Sequence, residues 1–172
     1  MEIIYEDNHI IAVNKACGEI VQSDKTGDVT LIDKVKEYVR VKYKKPGEAW
    51  LGSPHRLDRP TSGVVLFART SKALTRLNEM FQDKEAMKKT YWAVVDALPE
   101  EEEGTLHHYI LKDEEKNKSH AHNKERKGSK EAILHYKHVA TLNHYHLLEI
   151  DLKTGRHHQI LSLIHISQGI VR

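Results

Sequence analysis

Short apolar segments rich in β-branched and aromatic residues recur along the chain, and turn-forming residues separate them. Runs of this kind, bounded by Gly, Pro, Asn and Asp, are typical of β-strands. The predicted strands cover residues 2–5, 9–14, 64–69, 89–96, 131–139 and 145–153. Because most of them follow one another as neighbours, we predict an α+β domain built on a mixed, largely antiparallel sheet flanked by short helices.

Three stretches have helical rather than strand periodicity. Thr30 resembles an N-cap, with Asp33 three residues further on, and Pro46-Gly47 lies beyond the end of that helix. The apolar residues at helical spacing are Leu31, Val35, Tyr38 and Val39 in the first stretch, Leu74, Leu77 and Phe81 in the second, and Ile160, Leu163 and Ile164 in the third.

The length of 172 residues suits one domain spanning residues 1–172. Residues 112–130 are polar, charged and without apolar periodicity, so we expect a mobile insertion there. The composition, 39% hydrophobic and 30% charged, is that of a soluble protein, and no apolar run is long enough to span a bilayer. With no export signal and with Cys17 alone, a reducing cytoplasm is the expected location.

Two kinds of chemistry find little support in the sequence. The 13 histidines include the pairs His120-x-His122 and His144-x-His146, but no carboxylate or cysteine falls at a recognisable ligand spacing. We therefore predict no metal site. No glycine-rich phosphate loop is present, so nucleotide hydrolysis is not expected.

Basic residues are concentrated between Lys34 and Lys45, although the net charge of the whole chain is only +2. Six lysines or arginines stand there against Glu37 alone. Such a stripe suits contact with phosphates, and it equally suits a solvated helix face.

Residues 53–63, Ser-Pro-His-Arg-Leu-Asp-Arg-Pro-Thr-Ser-Gly, form a polar segment directly before an apolar strand. Catalytic groups are often held on such loops. Asp58 lies between Arg56 and Arg59, and a nearby cation favours the ionised carboxylate that a nucleophile requires. A salt-bridged loop aspartate is the alternative interpretation.

The run from His55 to Gly63, with the apolar strand after it, resembles the signature of RluA-type pseudouridine synthases. Residues 3–18 are similar to the opening hairpin and Asn-Lys-Pro-x-Gly turn of that family, with Ala16 in place of the proline. Lys89–Val95 resembles its Lys-x-Tyr-x-Ala-x-Val strand, and Thr154–Ile160 its third block. Four blocks in the same order cover nearly the whole chain.

The resemblance implies an enzyme that isomerises uridine in ribosomal or transfer RNA to pseudouridine, with no cofactor and no metal. Asp58 matches the family's nucleophile. Tyr91 matches the tyrosine that stacks on the base and is a candidate for removing its carbon-5 proton. Arg56 matches the arginine that fills the space left by the flipped base. His55, Arg59 and Arg156 are expected, like Arg56, to bind the substrate RNA, and His55 and Arg59 also to shape the loop.

The third block departs from the family pattern at Leu161, where the resemblance calls for the arginine that pairs with the catalytic aspartate. Removing one partner of a buried pair costs about 3–5 kcal/mol, which corresponds to roughly two to three orders of magnitude in rate. Arg156 lies five residues earlier, more than one helical turn away, and is not expected to replace it.

The family's Gly-Asp-x-x-Tyr-Gly segment is also missing, so we expect an incomplete C-terminal part of the fold, with lowered stability or self-association. Two alternatives to an active isomerase follow. One is an RNA-binding module that kept the fold and lost the chemistry, and the other is a hydrolase that releases uracil.

Overall fold

The computed structural model describes residues 1–23, 27–83, 86–114 and 118–167, with side chains described up to Ile164. The chain divides into two compact units, Met1–Met87 (unit 1) and Lys88–Arg172 (unit 2). Each unit has its own hydrophobic core. That the two behave as one domain over residues 1–172 stays a prediction.

Unit 1 contains a three-stranded antiparallel sheet of β1 (Glu2–Glu6), β2 (Ile10–Lys15) and β3 (Gly63–Ala68), with β2 in the middle. The β1–β2 turn depends on Asp7, whose Oδ1 accepts the backbone N–H groups of His9 and Ile10, both at 2.7 Å. An Asx turn of this kind satisfies backbone donors that a tight turn leaves without partners.

Helix α1 (Leu31–Lys42) begins at the predicted N-cap. Thr30 Oγ1 accepts the N–H of Asp33, and the Asp33 carboxylate accepts the N–H of Thr30, which completes a capping box. Helix α2 (Ser71–Gln82) is capped in a similar way by Thr70. The buried face of α1 packs on the sheet, and the core residues of unit 1 include Ile11, Val13, Leu31, Val35, Val39, Val65 and Phe67.

The described residues of unit 2 form a five-stranded antiparallel sheet and one helix. The strands are β4 (Thr90–Val95), β5 (Glu103–Asp113), β6 (Lys118–His122), β7 (Lys130–Thr141) and β8 (His146–Leu152), in the order β4-β8-β7-β5-β6. Helix α3 (Gln159–Ser167) follows β8. Its buried Leu163 and Ile164 belong to the same core as Leu134, Leu148 and Ile150 of the sheet.

The predicted α+β class and the antiparallel pairing are confirmed, although the described strands form two sheets rather than one. Sequence patterning missed β5 and β6. Strand β6 has no run of apolar residues, and the few apolar residues of β5 do not alternate regularly with polar ones. Residues 112–130 contain the end of β5 and all of β6, which pair from Tyr109↔His122 to Asp113↔Lys118. The polar strand β6 is held by hydrogen bonds to its neighbour β5, and the composition of a segment does not predict such pairing. The mobility of the segment stays a prediction.

None of the helices within the described ranges combines the length and the apolar character needed to cross a lipid bilayer.

Candidate active site

The polar segment before β3 is folded into a tight turn at Asp58. The N–H of Thr61 donates to the carbonyl oxygen of Asp58 at 3.0 Å. Gly63, where β3 begins, has a φ of 137°, a value that side chains with a Cβ rarely adopt. The chain therefore leaves the turn and enters the sheet within a few residues, which ties the position of Asp58 to a buried strand.

His55 fixes the start of the same segment. Its Nε2 accepts the N–H of Leu66 in β3 at 2.9 Å, and its ring stacks on Phe81 of α2 with centroids 4.5 Å apart. Ser53 Oγ donates to the His55 carbonyl oxygen at 2.7 Å. An accepting Nε2 requires the ring proton on Nδ1. His55 thus joins the loop to both a strand and a helix.

Lys15, the last residue of β2, holds the turn from inside the protein. It is fully buried, and its Nζ donates to backbone carbonyl oxygens of the residues around Asp58. Burial lowers the pKa of the Lys15 ammonium, whereas the nearby charges of Glu19, Cys17 and Asp58 oppose that shift.

Asp58 itself is half-buried, between the exposed Arg56 and Arg59. The Arg59 guanidinium forms an ion pair with Asp28, with Nη2 and Oδ2 2.7 Å apart. This cation, which the sequence places beside Asp58, is therefore engaged by another carboxylate. Arg56 is exposed at the surface of unit 1, where it is accessible for its predicted role of filling the space left by the flipped base.

Tyr91 lies in unit 2, on strand β4 opposite Ile150 of β8. It is half-buried, and its ring packs against the core of that unit. A tyrosine in this position presents one part of its ring to the core and leaves another part accessible. Both interpretations of Tyr91, core aromatic and stacking residue, are compatible with this placement.

The third sequence block forms the entry to α3 around Gln159, which is buried. Gln159 Oε1 accepts from Thr154 Oγ1 at 2.8 Å and from the N–H of Arg156 at 2.9 Å, and its Nε2 donates to the Ile133 carbonyl oxygen at 3.0 Å. Arg156 Nε donates to the carbonyl oxygen of Glu131 at 2.8 Å. Arg156 was predicted to bind substrate, and one of its guanidinium nitrogen atoms instead makes a structural hydrogen bond within unit 2.

Leu161 lies on α3 with half of its surface exposed. It lines a mostly apolar cavity of about 290 Å³ in unit 2, between β4 and α3. The other lining residues are Ala93, Val94, Val95, Asp96, Tyr145, Ile160 and Ile164. Leu161 stands where the resemblance calls for an arginine, and it contributes to this apolar surface. Because half of Leu161 is exposed, a longer side chain can be accommodated at this position.

Within the part of the chain that the structure describes, no three histidine, cysteine, aspartate or glutamate side chains are grouped to hold a metal ion. His120 and His122 belong to β6, and burial lowers the pKa of His122. His146 of β8 stands edge-on to His138 of β7, with ring centroids 5.6 Å apart.

Comparison with known proteins agrees with the fold and with the order of the sequence blocks. The family model for RNA pseudouridylate synthase matches residues 9–165. A tRNA pseudouridine synthase C of Vibrio vulnificus is 34% identical over 184 residues, covering 99% of this chain and 71% of the relative. The ribosomal large subunit pseudouridine synthase D of Zymomonas mobilis is 31% identical, covering 93% of this chain and 50% of the relative.

Among solved structures, human RNA pseudouridylate synthase domain containing 4 superposes with a TM-score of 0.80 at 21% identity. The alignment covers 98% of this chain and 65% of the human one, and at this identity it supports the fold alone. The chain belongs to the RNA pseudouridylate synthase family, a family of RNA uridine isomerases. It spans between about half and about three-quarters of the length of these relatives.

Sequence reasoning missed two residues that organise the segments around the candidate site. Lys15 was noted only as part of a turn motif, and its burial became visible only in the folded chain. Gln159 belongs to a recognised block, and two of its three hydrogen bonds are local. The third, to the carbonyl oxygen of Ile133, depends on β7, which is remote in sequence. A lysine at the end of an otherwise apolar strand was the available signal for the first.

Proposed function

We propose that this chain isomerises uridine to pseudouridine in transfer or ribosomal RNA, with the Asp58 carboxylate as nucleophile. Attack by the carboxylate at the sugar or the ring breaks the bond between ribose and the base nitrogen. The base then turns, carbon 5 bonds to the ribose and the bond to the Asp58 carboxylate breaks. The carbon-5 proton leaves, and the base nitrogen that lost the ribose takes up a proton. A carboxylate forms and releases such adducts without a cofactor.

The observation that carries this proposal is the continuous family match over residues 9–165, which includes the loop of Asp58. The geometry of unit 1 supports the assignment, because His55, Lys15 and Gly63 all restrain that loop. A nucleophile requires such restraint, since the rate depends on holding it in position before the reaction.

Further roles follow from the resemblance. Tyr91 stacks on the target base and is the candidate for accepting its carbon-5 proton. Arg56, exposed on the same loop as Asp58, occupies the space that the flipped uridine leaves, where a planar guanidinium both stacks and binds phosphate. Arg59 and Arg156 contribute to RNA binding with the parts of their guanidinium groups that the fold leaves accessible.

Tritium release tests the proposal. Unmodified tRNA and large-subunit ribosomal RNA transcripts, labelled with tritium at uridine carbon 5, are incubated with the wild-type chain and with Asp58→Asn. We expect release from one class of transcript with the wild type and none with D58N, because the amide cannot act as a nucleophile. Equal release from both proteins would contradict the assignment of Asp58.

A second candidate function is supported by Leu161. Since the family arginine is replaced by an apolar residue, a module that binds RNA without modifying it is the alternative. RNA retention in a filter-binding assay, together with no tritium release by the wild type, would support this alternative. Free uracil among the products would instead indicate a hydrolase.

A further inference from the structure

Lys15 has one of the largest fully buried side chains among the described residues, with 0% of its surface exposed. Lysine is among the residues least often buried, because transferring an ammonium group out of water is costly unless hydrogen bonds replace its hydration. The burial of the Lys15 ammonium therefore has to be explained by the groups that it binds.

The Lys15 ammonium is surrounded by backbone carbonyl oxygens rather than paired with one side chain. The distances from Nζ are 3.2 Å to Ala16 O, 3.1 Å to Asp58 O, 3.2 Å to Arg59 O and 2.6 Å to Thr61 O. Three of these four oxygens belong to the turn that carries Asp58. An ammonium suits this arrangement because its three donors rotate freely and point in divergent directions.

Two backbone hydrogen bonds act on the same turn. The Thr61 N–H donates to Asp58 O at 3.0 Å, and the Gly18 N–H donates to Arg59 O at 2.8 Å. No such additional bond is described for Thr61 O, which makes the shortest contact with Lys15. Lys15 therefore joins the end of β2 to the turn at several points. Its removal would take away the hydrogen-bond donor of the Thr61 carbonyl oxygen.

We propose that Lys15 is a positioning residue, whose buried ammonium holds the turn of residues 58–61 and thereby sets where the Asp58 carboxylate points. This inference rests on the proposed function, since it assigns Lys15 a role through Asp58. Lys15 acts on the backbone of the turn and not on the RNA, so its loss should lower the reaction rate more than it weakens the binding of RNA.

The substitution Lys15→Met tests this role, because methionine is unbranched and fills a similar volume without a donor. The matched control is Lys72→Met, an exposed lysine on α2 in the same unit. Amide hydrogen exchange is followed at Gly18 and Thr61, and kcat and KM are measured by tritium release from the transcripts described above. We expect loss of protection at both amides and a fall in kcat of about a hundredfold with a much smaller change in KM, while K72M behaves as the wild type.

Chemical rescue separates a missing ammonium from a damaged fold. Lys15→Cys in a Cys17→Ser background is alkylated with bromoethylamine in denaturant and refolded, which restores an ammonium at position 15. The control is Cys17→Ser taken through the same treatment. Recovery of amide protection and kcat supports the proposal, including the case in which K15M fails to fold. No recovery, in a preparation whose control refolds, overturns it.

Hydrogen exchange does not depend on catalysis, so the two proposals fail separately. Wild-type protection at Gly18 and Thr61 in folded K15M would overturn the role of Lys15 whatever D58N shows. Undiminished tritium release by D58N would overturn the role of Asp58, even if K15M loosens the turn.

Discussion

At the scale of single residues, the charged side chains of the candidate site differ from the pattern that the family resemblance implies. Arg59, one of two cations flanking Asp58 in the sequence, pairs with Asp28. The family arginine at the third block is replaced by Leu161, whose exposed half lines an apolar cavity. The buried Lys15 ammonium donates its hydrogen bonds to backbone carbonyl oxygens of the loop that carries Asp58.

Restoring the family arginine by Leu161→Arg should raise activity. Residue 161 is exposed, so the longer side chain is accommodated at little cost in folding free energy. By the resemblance, an arginine is the residue that the family pattern calls for at this position, and regaining its contribution corresponds to about a hundredfold in rate. Tritium release measures the change.

The control is Leu161→Gln. Glutamine is polar but uncharged and is close in size to leucine, so this substitution should leave the rate near that of the wild type. An equal increase in L161Q and L161R would mean that loss of the exposed leucine, rather than gain of charge, is responsible.

At the scale of secondary structure elements, the C-terminus of α1 is attached to strand β1 through one carboxylate. The nearly buried Glu6 accepts hydrogen bonds from Lys42 at 2.7 Å, Tyr43 at 2.7 Å and Tyr38 at 3.0 Å. Arg69, before α2, lies 3.2 Å from the same carboxylate and stacks over the Tyr43 ring. Two lysines of the basic stripe, Lys42 and Lys34, are thereby paired with Glu6 and Glu19, which reduces the charge available for phosphates.

The Glu6 network predicts a loss of stability in acid. Burial alone would raise the pKa of Glu6, but the hydrogen bonds from Lys42, Tyr43 and Tyr38 outweigh it and hold the pKa below its ordinary value of 4.5. The carboxylate therefore binds its proton less readily in the folded state than in the unfolded state. Its stabilising contribution is complete above 4.5 and is lost as the pH falls through the lowered folded pKa.

Urea unfolding of the wild type and of Glu6→Gln, at neutral pH and across the acid range, checks this prediction. E6Q should be less stable at neutral pH, and its free energy of unfolding should fall less steeply in acid. The comparison is needed because Asp7, Glu19 and Glu37 also have lowered pKa values. Parallel acid curves for the two proteins would show that these other carboxylates account for the loss.

At the scale of the whole molecule, each unit completes its own core, and unit 2 leaves an apolar strand at one edge of its sheet. Strand β4 carries Trp92, 72% exposed, and Val94, 61% exposed, with no charged residue between Thr90 and Val95. Exposed edge strands without charges or proline are prone to pair with other chains. This feature gives a structural basis to the self-association expected from the sequence.

Placing a charge on this strand by Trp92→Lys should reduce self-association, because a lysine on an edge strand opposes strand pairing between molecules. Light scattering and gel filtration over a range of concentrations measure the effect. Val41→Lys, at a similarly exposed apolar residue on α1, is the control and should leave self-association unchanged. A monomeric wild type at all concentrations would contradict the prediction.

The sequence was sufficient for whatever depends on local chemistry and periodicity. The caps at Thr30, the strands with apolar runs, the α+β class and the family blocks around Asp58, Tyr91 and Gln159 all follow from residues that are close along the chain. Local patterns succeed here because a cap, a turn or a half-buried strand is determined by its immediate neighbours.

Contacts between distant segments required the folded chain. Strand β6 is polar and the few apolar residues of β5 lack a regular alternation, so neither is recognised alone. Both form because each pairs with a neighbour. The pairing of Arg59 with Asp28 and the attachment of Glu6 to α1 likewise join residues more than 30 positions apart. The largest difference concerns Lys15, which the sequence identifies only as part of a turn motif. In the folded protein it lies beneath the loop of Asp58, because β2 brings its ammonium to carbonyl groups more than 40 residues away.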